Sequence, residues 1–170
     1  IKISSSIYVL VPLSSSSMRK KIGWILRDSG FKPAKDLTGE NGISETWEKD
    51  SLLMIIGFKQ FSYWAKWGEV GVANAGTATE QLVGLGIPCI SLPGKGHQFN
   101  FNFAKRQSRL LGGAVSVAKG YESLAKKVEF LLTYDIDREI IGLRGAKRMG
   151  PEGGSHAIAI YISTYLCKCL

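Results

Sequence analysis

The stretch Ala75-Gly76-Thr77-Ala78-Thr79-Glu80-Gln81, running on to Gly86-Ile87-Pro88 and to Ser91-Leu92-Pro93-Gly94-Lys95-Gly96-His97-Gln98, decides how this chain is read. Val70 to Ala73, just ahead of it, reads as a short strand, Asn74 to Gly76 as a turn of small residues, and a helix opens at Thr77 or Ala78. Cys89 to Leu92 reads as a second strand that ends in a Gly-rich loop. Two strand ends therefore present two loops side by side. In an open parallel sheet, ligands settle beyond the carboxyl ends of the strands, and a helix N-terminus there offers unpaired N–H groups to an anion such as a diphosphate.

Outward from this centre, strand and helix signals alternate. Ile7 to Val11 is a β-branched and aromatic run closed by Pro12, which predicts a buried strand. Met18, Ile22, Ile25 and Leu26 follow at helical spacing, with Ser17 placed to cap the first turn and Gly30 to stop the helix. Residues 32–50 are polar and fit either a short edge strand or a surface loop. Leu52 to Ile56 predicts a central strand covered on both faces, and Phe58 to Trp67 a short helix or loop rich in packing aromatics.

Downstream of the two loops, Phe103, Ala104, Gln107, Leu110 and Leu111 predict a helix closed by Gly112-Gly113, and Ala114 to Val117 a short strand. Leu124, Ala125, Val128, Leu131 and Leu132 define an amphipathic helix, and Asp135 and Asp137 favour the start of another that ends at Gly150-Pro151. The last helix, Ser155 to Cys169, is apolar on nearly every side. The expected fold is α/β, with five strands near Tyr8, Leu53, Gly71, Ile90 and Val115 in a Rossmann-like parallel sheet and helices on both faces.

At 170 residues and 45% hydrophobic content, the chain has the material for one domain spanning 1–170. No apolar run is long enough for a membrane span and no leader is visible, so the expected location is cytoplasmic. Cys89, Cys167 and Cys169 have neither a disulfide nor a zinc spacing, His97 and His156 are the only histidines, and neither a metal nor a cofactor is expected. The formal charge of +8 suits an anionic partner. Nucleic acid is not the expected one, since no aromatic sheet motif or finger spacing occurs; most basic residues read as solvated helix faces.

The chemistry of the two loops is that of phosphate and sugar recognition. Gly76 permits close approach of a ligand to the backbone, and the hydroxyls of Thr77 and Thr79 add donors where the N–H of Ala78 also lies. The stretch has neither the GK[ST] ending of a P-loop nor the GxGxxG spacing of a dinucleotide fold, and a plain strand-to-helix turn explains it equally well. Glu80 and Gln81 stand at the helix start, where either can meet ribose hydroxyls. Lys95 supplies positive charge, Gln98 an amide suited to sugar hydroxyls, and His97 reads as a loop residue rather than a base.

The run AGTATEQLVGLGIPCISLPGKGHQFNFNFAKRQSRLLGG resembles the donor-binding half of GT-B glycosyltransferases. It is most similar to the lipid-A-disaccharide synthase-related proteins of cyanobacteria and plants, and more distantly to lipid-A-disaccharide synthase and the transferase that makes lipid II. The resemblance is densest from Gly68 to Gly113 and returns at Arg148-Met149-Gly150 and Gly153-Gly154-Ser155. It implies that Gly76 and Thr77 approach the diphosphate of a UDP-sugar and that Gln98 meets the sugar hydroxyls. It places uracil against Gly57-Phe58-Lys59, met largely through backbone groups and an apolar wall, which makes Phe58 and Lys59 candidate contacts. The family's ribose-binding Glu falls on Gln81 here, with Glu80 one residue earlier. No catalytic residue is carried over.

By the same resemblance, the chain is the donor half of a two-domain transferase that lacks the first strand-helix unit of the GT-B donor domain. The donor would be UDP-N-acetylglucosamine or a relative, and the acceptor a lipid-like molecule. An N-terminal acceptor domain of the same protein would be covered by helix 155–170, and the enzyme would sit in the cytoplasm with peripheral contact at the inner membrane face. The fragment alone is expected to be inactive. Two other readings stand beside this one: a nucleotide-sugar 2-epimerase with the same pocket, and a non-catalytic module that binds nucleotide or other anions.

Overall fold

The computed structural model describes residues 6–34, 42–94 and 99–168. The chain divides into two compact units, Ile1–Gly68 and Glu69–Leu170, and the architecture is α/β and Rossmann-like.

In the first unit, β1 (Ile7–Leu13) runs parallel to β4 (Leu52–Phe58), which also pairs antiparallel with β3 (Ile43–Lys49) and through it with β2 (Lys32–Pro33). The strand order is β1-β4-β3-β2. Leu52 to Ile56 is thus a central strand as expected, and Ile55, Ile56 and Gly57 at its end are buried. β1 is an edge strand, which corrects the expectation of a buried one: Tyr8 is 65% exposed and no residue of the strand is fully buried. The edge position also explains why the strand continues through Pro12, which has no N–H to give a neighbour.

The undecided segment 32–50 supplies two strands, so this sheet is mixed instead of part of one five-stranded parallel sheet. β3 turns into β4 through Asp50 and Ser51. Asp50 takes the left-handed conformation (φ 52), which a short polar side chain tolerates better than most. Helix α1 (Arg19–Asp28) lays Leu26 and Ile22 against Trp47, Ile56, Phe31 and Met54. Its expected Ser17 cap is absent: a 3₁₀ turn at Ser16–Met18 leads into the helix, no side chain caps it, and the Ser17 hydroxyl pairs with that of Ser15. Gly30 ends the helix at φ 84. Phe61–Trp64 forms the short α2, with Trp64 buried, and Tyr63 and Trp67 left exposed.

The second unit is built on three parallel strands in sequential order, β5 (Gly71–Val72), β6 (Cys89–Ser91) and β7 (Val115–Val117). α3 (Thr77–Gly84) connects the first two and α4 (Phe101–Leu110) the last two, as parallel neighbours require. β6 is covered on both faces, and successive residues point to opposite sides. Cys89 packs with Val83, Leu111, Ala114 and Val115, whereas Ile90 packs with Ala118, Leu131, Leu124 and Val128. Burial without a charged partner pushes the Cys89 thiol up to about 12, so it is a protonated packing residue and not a nucleophile.

α5 (Tyr121–Thr133) and α6 (Asp135–Met149) follow, with Asp135 and Asp137 in the first turn of α6 as read from the sequence. α6 packs on α3 through two glycines. A Cβ at Gly145 would stand 2.6 Å from Ala114 Cβ and 2.7 Å from Val83 Cγ1, and one at Gly142 would run into the carbonyl of Gly86. α7 (Gly154–Lys168) exposes Ile158, Ile160, Tyr161, Ile162, Tyr165 and Leu166, each more than half accessible. Among the described residues, no helix is long and apolar enough to cross a membrane.

Candidate functional site

The parallel register sends the carboxyl ends of β5, β6 and β7 to one edge of the second unit, where the loops after β5 and β6 meet. Asn74 joins them. Its Nδ2 donates to the Leu92 carbonyl at 2.7 Å, and its Oδ1 accepts from the Leu92 N–H at 2.8 Å. One amide side chain thus extends the β5–β6 pairing by one step beyond the strands. The Ser91 hydroxyl adds a bond to the Ala73 carbonyl at 2.8 Å.

Within that frame, Gly76 is the residue before α3 and no side chain caps the helix. The first helical bond runs from the Glu80 N–H to the Gly76 carbonyl at 3.1 Å, so the N–H groups of Thr77, Ala78 and Thr79 precede the hydrogen-bonded part of the helix. No described atom lies within 4 Å of a Cβ built on Gly76. Among the described residues, then, no side chain crowds the Cβ direction of Gly76 at the positive end of the helix dipole.

The expected site residues have different fates. Gly76, Thr77 and Ala78 lie together at the helix start, with Thr77 exposed. Thr79 is buried and its hydroxyl donates to the Ala75 carbonyl at 2.6 Å, so it braces the turn from behind instead of facing the rim. Glu80 and Gln81 are both exposed and leave the helix about 100° apart, as neighbours on a 3.6-residue turn must. Phe58 and Lys59 belong to the first unit, at the end of β4. There Lys59 takes φ 55 and its N–H bonds the Leu13 carbonyl at 2.8 Å, while the Phe58 carbonyl accepts from Gln60. Lys95 and Gln98 lie outside the described residues.

Two contributors escaped the sequence reading. Asn74 looked like one more small turn residue, because its partner is 18 positions away and only the sheet brings it near. The sequence pattern puts Gln107 on the apolar stripe of α4; it is buried there, and it reaches the Ala75–Gly76 turn. That stripe is also turned from the expected one. Ala104, Gln107 and the following Leu111 face inward, while Phe103 and Leu110 are exposed. A polar residue at the centre of a buried helical stripe was the available signal.

The outer face of α4 carries Asn102, Lys105, Arg106 and Arg109, which line a shallow open depression of ≈ 580 Å³. No acidic residue occurs between Glu80 and Glu122, so this part of the unit is uniformly basic. Asn100 caps α4 by accepting from the Phe103 N–H at 2.9 Å.

The Asn74 clasp makes a direct prediction. Asn74→Leu removes both bonds to Leu92, and two ordinary hydrogen bonds are together worth about 1–3 kcal/mol. Urea unfolding is expected to show that loss. Asn74→Asp keeps the acceptor but sets a carboxylate oxygen against the Leu92 carbonyl, which favours the protonated carboxyl in the folded state, so its deficit relative to wild type should shrink as the pH falls towards about 4, the value of an unperturbed Asp, and level off below it, where the protonated carboxyl donates again. A wild-type midpoint for both variants would show that the clasp holds nothing.

In comparisons with known proteins, no family model, no curated protein and no solved structure matches the chain.

Proposed function

We propose that the second unit binds the diphosphate of a nucleotide sugar at the start of α3. In this reading the chain is the donor-binding part of a glycosyltransferase related to lipid-A-disaccharide synthase. Such an enzyme passes a hexosamine from a UDP-sugar to a lipid-like acceptor at the membrane face, with an N-terminal domain supplying the acceptor site. The observation that carries this reading is the joining of the two rim loops through Asn74 and Leu92 beside an uncapped helix N-terminus. The likeness of the 75–113 segment to that family supplies the sugar and the acceptor.

The chemistry would be positional. Breaking the bond between sugar and diphosphate leaves negative charge on the departing phosphate, and in this reading the N–H groups from Gly76 to Ala78 would face that charge. Their dipoles need no rearrangement during the reaction, and the basic face of α4 adds a favourable field. Gln98 belongs to the same proposal on the sequence likeness, and Lys95 on its charge in the same Gly-rich loop.

Titration calorimetry with the whole chain tests it. UDP is expected to bind saturably at one site and at least about tenfold tighter than uridine, because the diphosphate supplies the interaction with the helix start. Equal affinity for UDP, uridine and a random DNA duplex at low salt would replace a built site with nonspecific attraction.

A further inference from the structure

Gln107 is 5% exposed, and its Nε2 donates to the carbonyls of both Ala75 (3.2 Å) and Gly76 (3.3 Å). Among the described residues, its Oε1 is the single buried side-chain nitrogen or oxygen without a hydrogen-bond partner. The amide orientation follows from these contacts, since the reverse would press Oε1 against two carbonyl oxygens. An unpaired buried acceptor costs stability, and methionine or leucine would fill this space on α4 without that cost.

The return is found in the peptide planes. In a trans peptide the C=O and N–H point in opposite directions across a rigid plane. The Ala75 carbonyl is the back of the plane that presents the Gly76 N–H, and the Gly76 carbonyl is the back of the plane that presents the Thr77 N–H. One amide group from α4 therefore grips two consecutive planes from behind. The Thr79 hydroxyl holds the first of them as well, and the Glu80 N–H the second, but each acts from within α3. Among the described residues, Gln107 alone ties both to another helix. The position needs such a hold, because Gly76 carries no side chain and no described atom surrounds its Cβ direction.

We propose that Gln107 is a positioning residue for an anion at this rim: it aims the N–H groups of Gly76 and Thr77 at a phosphate group that it does not itself touch. A donor on a carbonyl also polarises the peptide, which strengthens the N–H at the other end of the same plane. The proposal rests on the reading of the α3 N-terminus as a diphosphate site. It adds that α4 controls the aim of that site, so that residues far along the chain from the turn set its affinity.

Gln107→Met keeps the length of the side chain and removes the amide. Its thermal midpoint is expected to equal or exceed that of wild type, while affinity for UDP and for inorganic pyrophosphate falls roughly tenfold and that for uridine does not change. In the free protein, NMR order parameters of the Gly76 and Thr77 amides should drop from about 0.85 towards 0.6 or below. Gln107→Glu offers a second variant: the ionised carboxylate cannot donate and loosens the same amides, and protonation at acid pH restores them. Unchanged order parameters in these variants overturn the proposal, as does a lowered midpoint with uniform loosening throughout the unit. If wild type binds neither UDP nor pyrophosphate, the diphosphate reading fails on its own, and the order parameters still report whether Gln107 holds the turn.

Discussion

Gly142→Ala is expected to lower the thermal midpoint of the protein by roughly 5–10 °C, although the same change in a solvent-facing helix would raise it. Alanine is favoured over glycine inside a helix by about 1 kcal/mol, so propensity alone predicts stabilisation. Packing reverses the sign. The Cβ would overlap the carbonyl of Gly86, and the obstacle is backbone that no side-chain rotation can clear.

Gly86 itself is held at φ 81 in the tight connection between α3 and β6, and its N–H bonds the Val83 carbonyl at 3.0 Å. Either α6 withdraws from α3 or the connection distorts. Overpacking of this kind costs about 1–3 kcal/mol beyond the lost propensity gain, and each kcal/mol is worth roughly 2–4 °C in a chain of this size. Gly154→Ala is the control: a Cβ there meets no described atom, and its midpoint should stay level or rise. A Gly142→Ala protein that melts at or above wild type would mean that α6 does not approach α3 as closely as the glycines imply.

The same contrast between local signal and distant partner explains how much of the molecule could be read in advance. Continuous apolar runs gave away β4 and β6, because strands covered on both faces need no polar alternation. The small residues before Thr77 marked the start of α3 to within one position. β3 was hidden by its composition. Glu45, Thr46 and Glu48 read as loop, yet the Glu45 carboxylate is occupied by Arg19 and by the Trp47 indole N–H, and Thr46 bonds the Ala34 carbonyl at 3.0 Å. Each of those partners is supplied by the fold or by a neighbour whose direction the pleat decides. The Ser17 cap failed for a related reason, since a preceding 3₁₀ turn satisfies the chain locally and leaves the hydroxyl to Ser15.

At the rim, the glycine that allows approach is visible in one sequence, because its meaning is the missing side chain. The side chains that hold it are not. Asn74 and Gln107 act on residues 18 and 31 or 32 positions away, and nothing in their immediate neighbours announces it. Sequence reading therefore located the turn, whereas the structure shows which side chains hold its backbone.

Gly76→Val is expected to abolish UDP binding while leaving the fold intact, and it separates the rim reading from every general effect of charge. Gly76 has a negative φ (−77), so a side chain there avoids the left-handed region, and no described atom lies within 4 Å of its Cβ direction. The two methyl groups of valine then occupy the volume through which a phosphate must pass to reach the N–H groups of Thr77 and Ala78. Hydrogen bonds to a charged group contribute about 1.5–3 kcal/mol each, so the loss of two corresponds to at least roughly a hundredfold in affinity. Gly76→Ala should fall between, since a single methyl narrows the approach without closing it. The net charge is the same in all three proteins, and attraction between a basic surface and a polyanion would not distinguish them. Calorimetry that finds UDP bound equally by Gly76→Val and wild type, with matching melting curves, would remove the start of α3 from any account of what this protein binds.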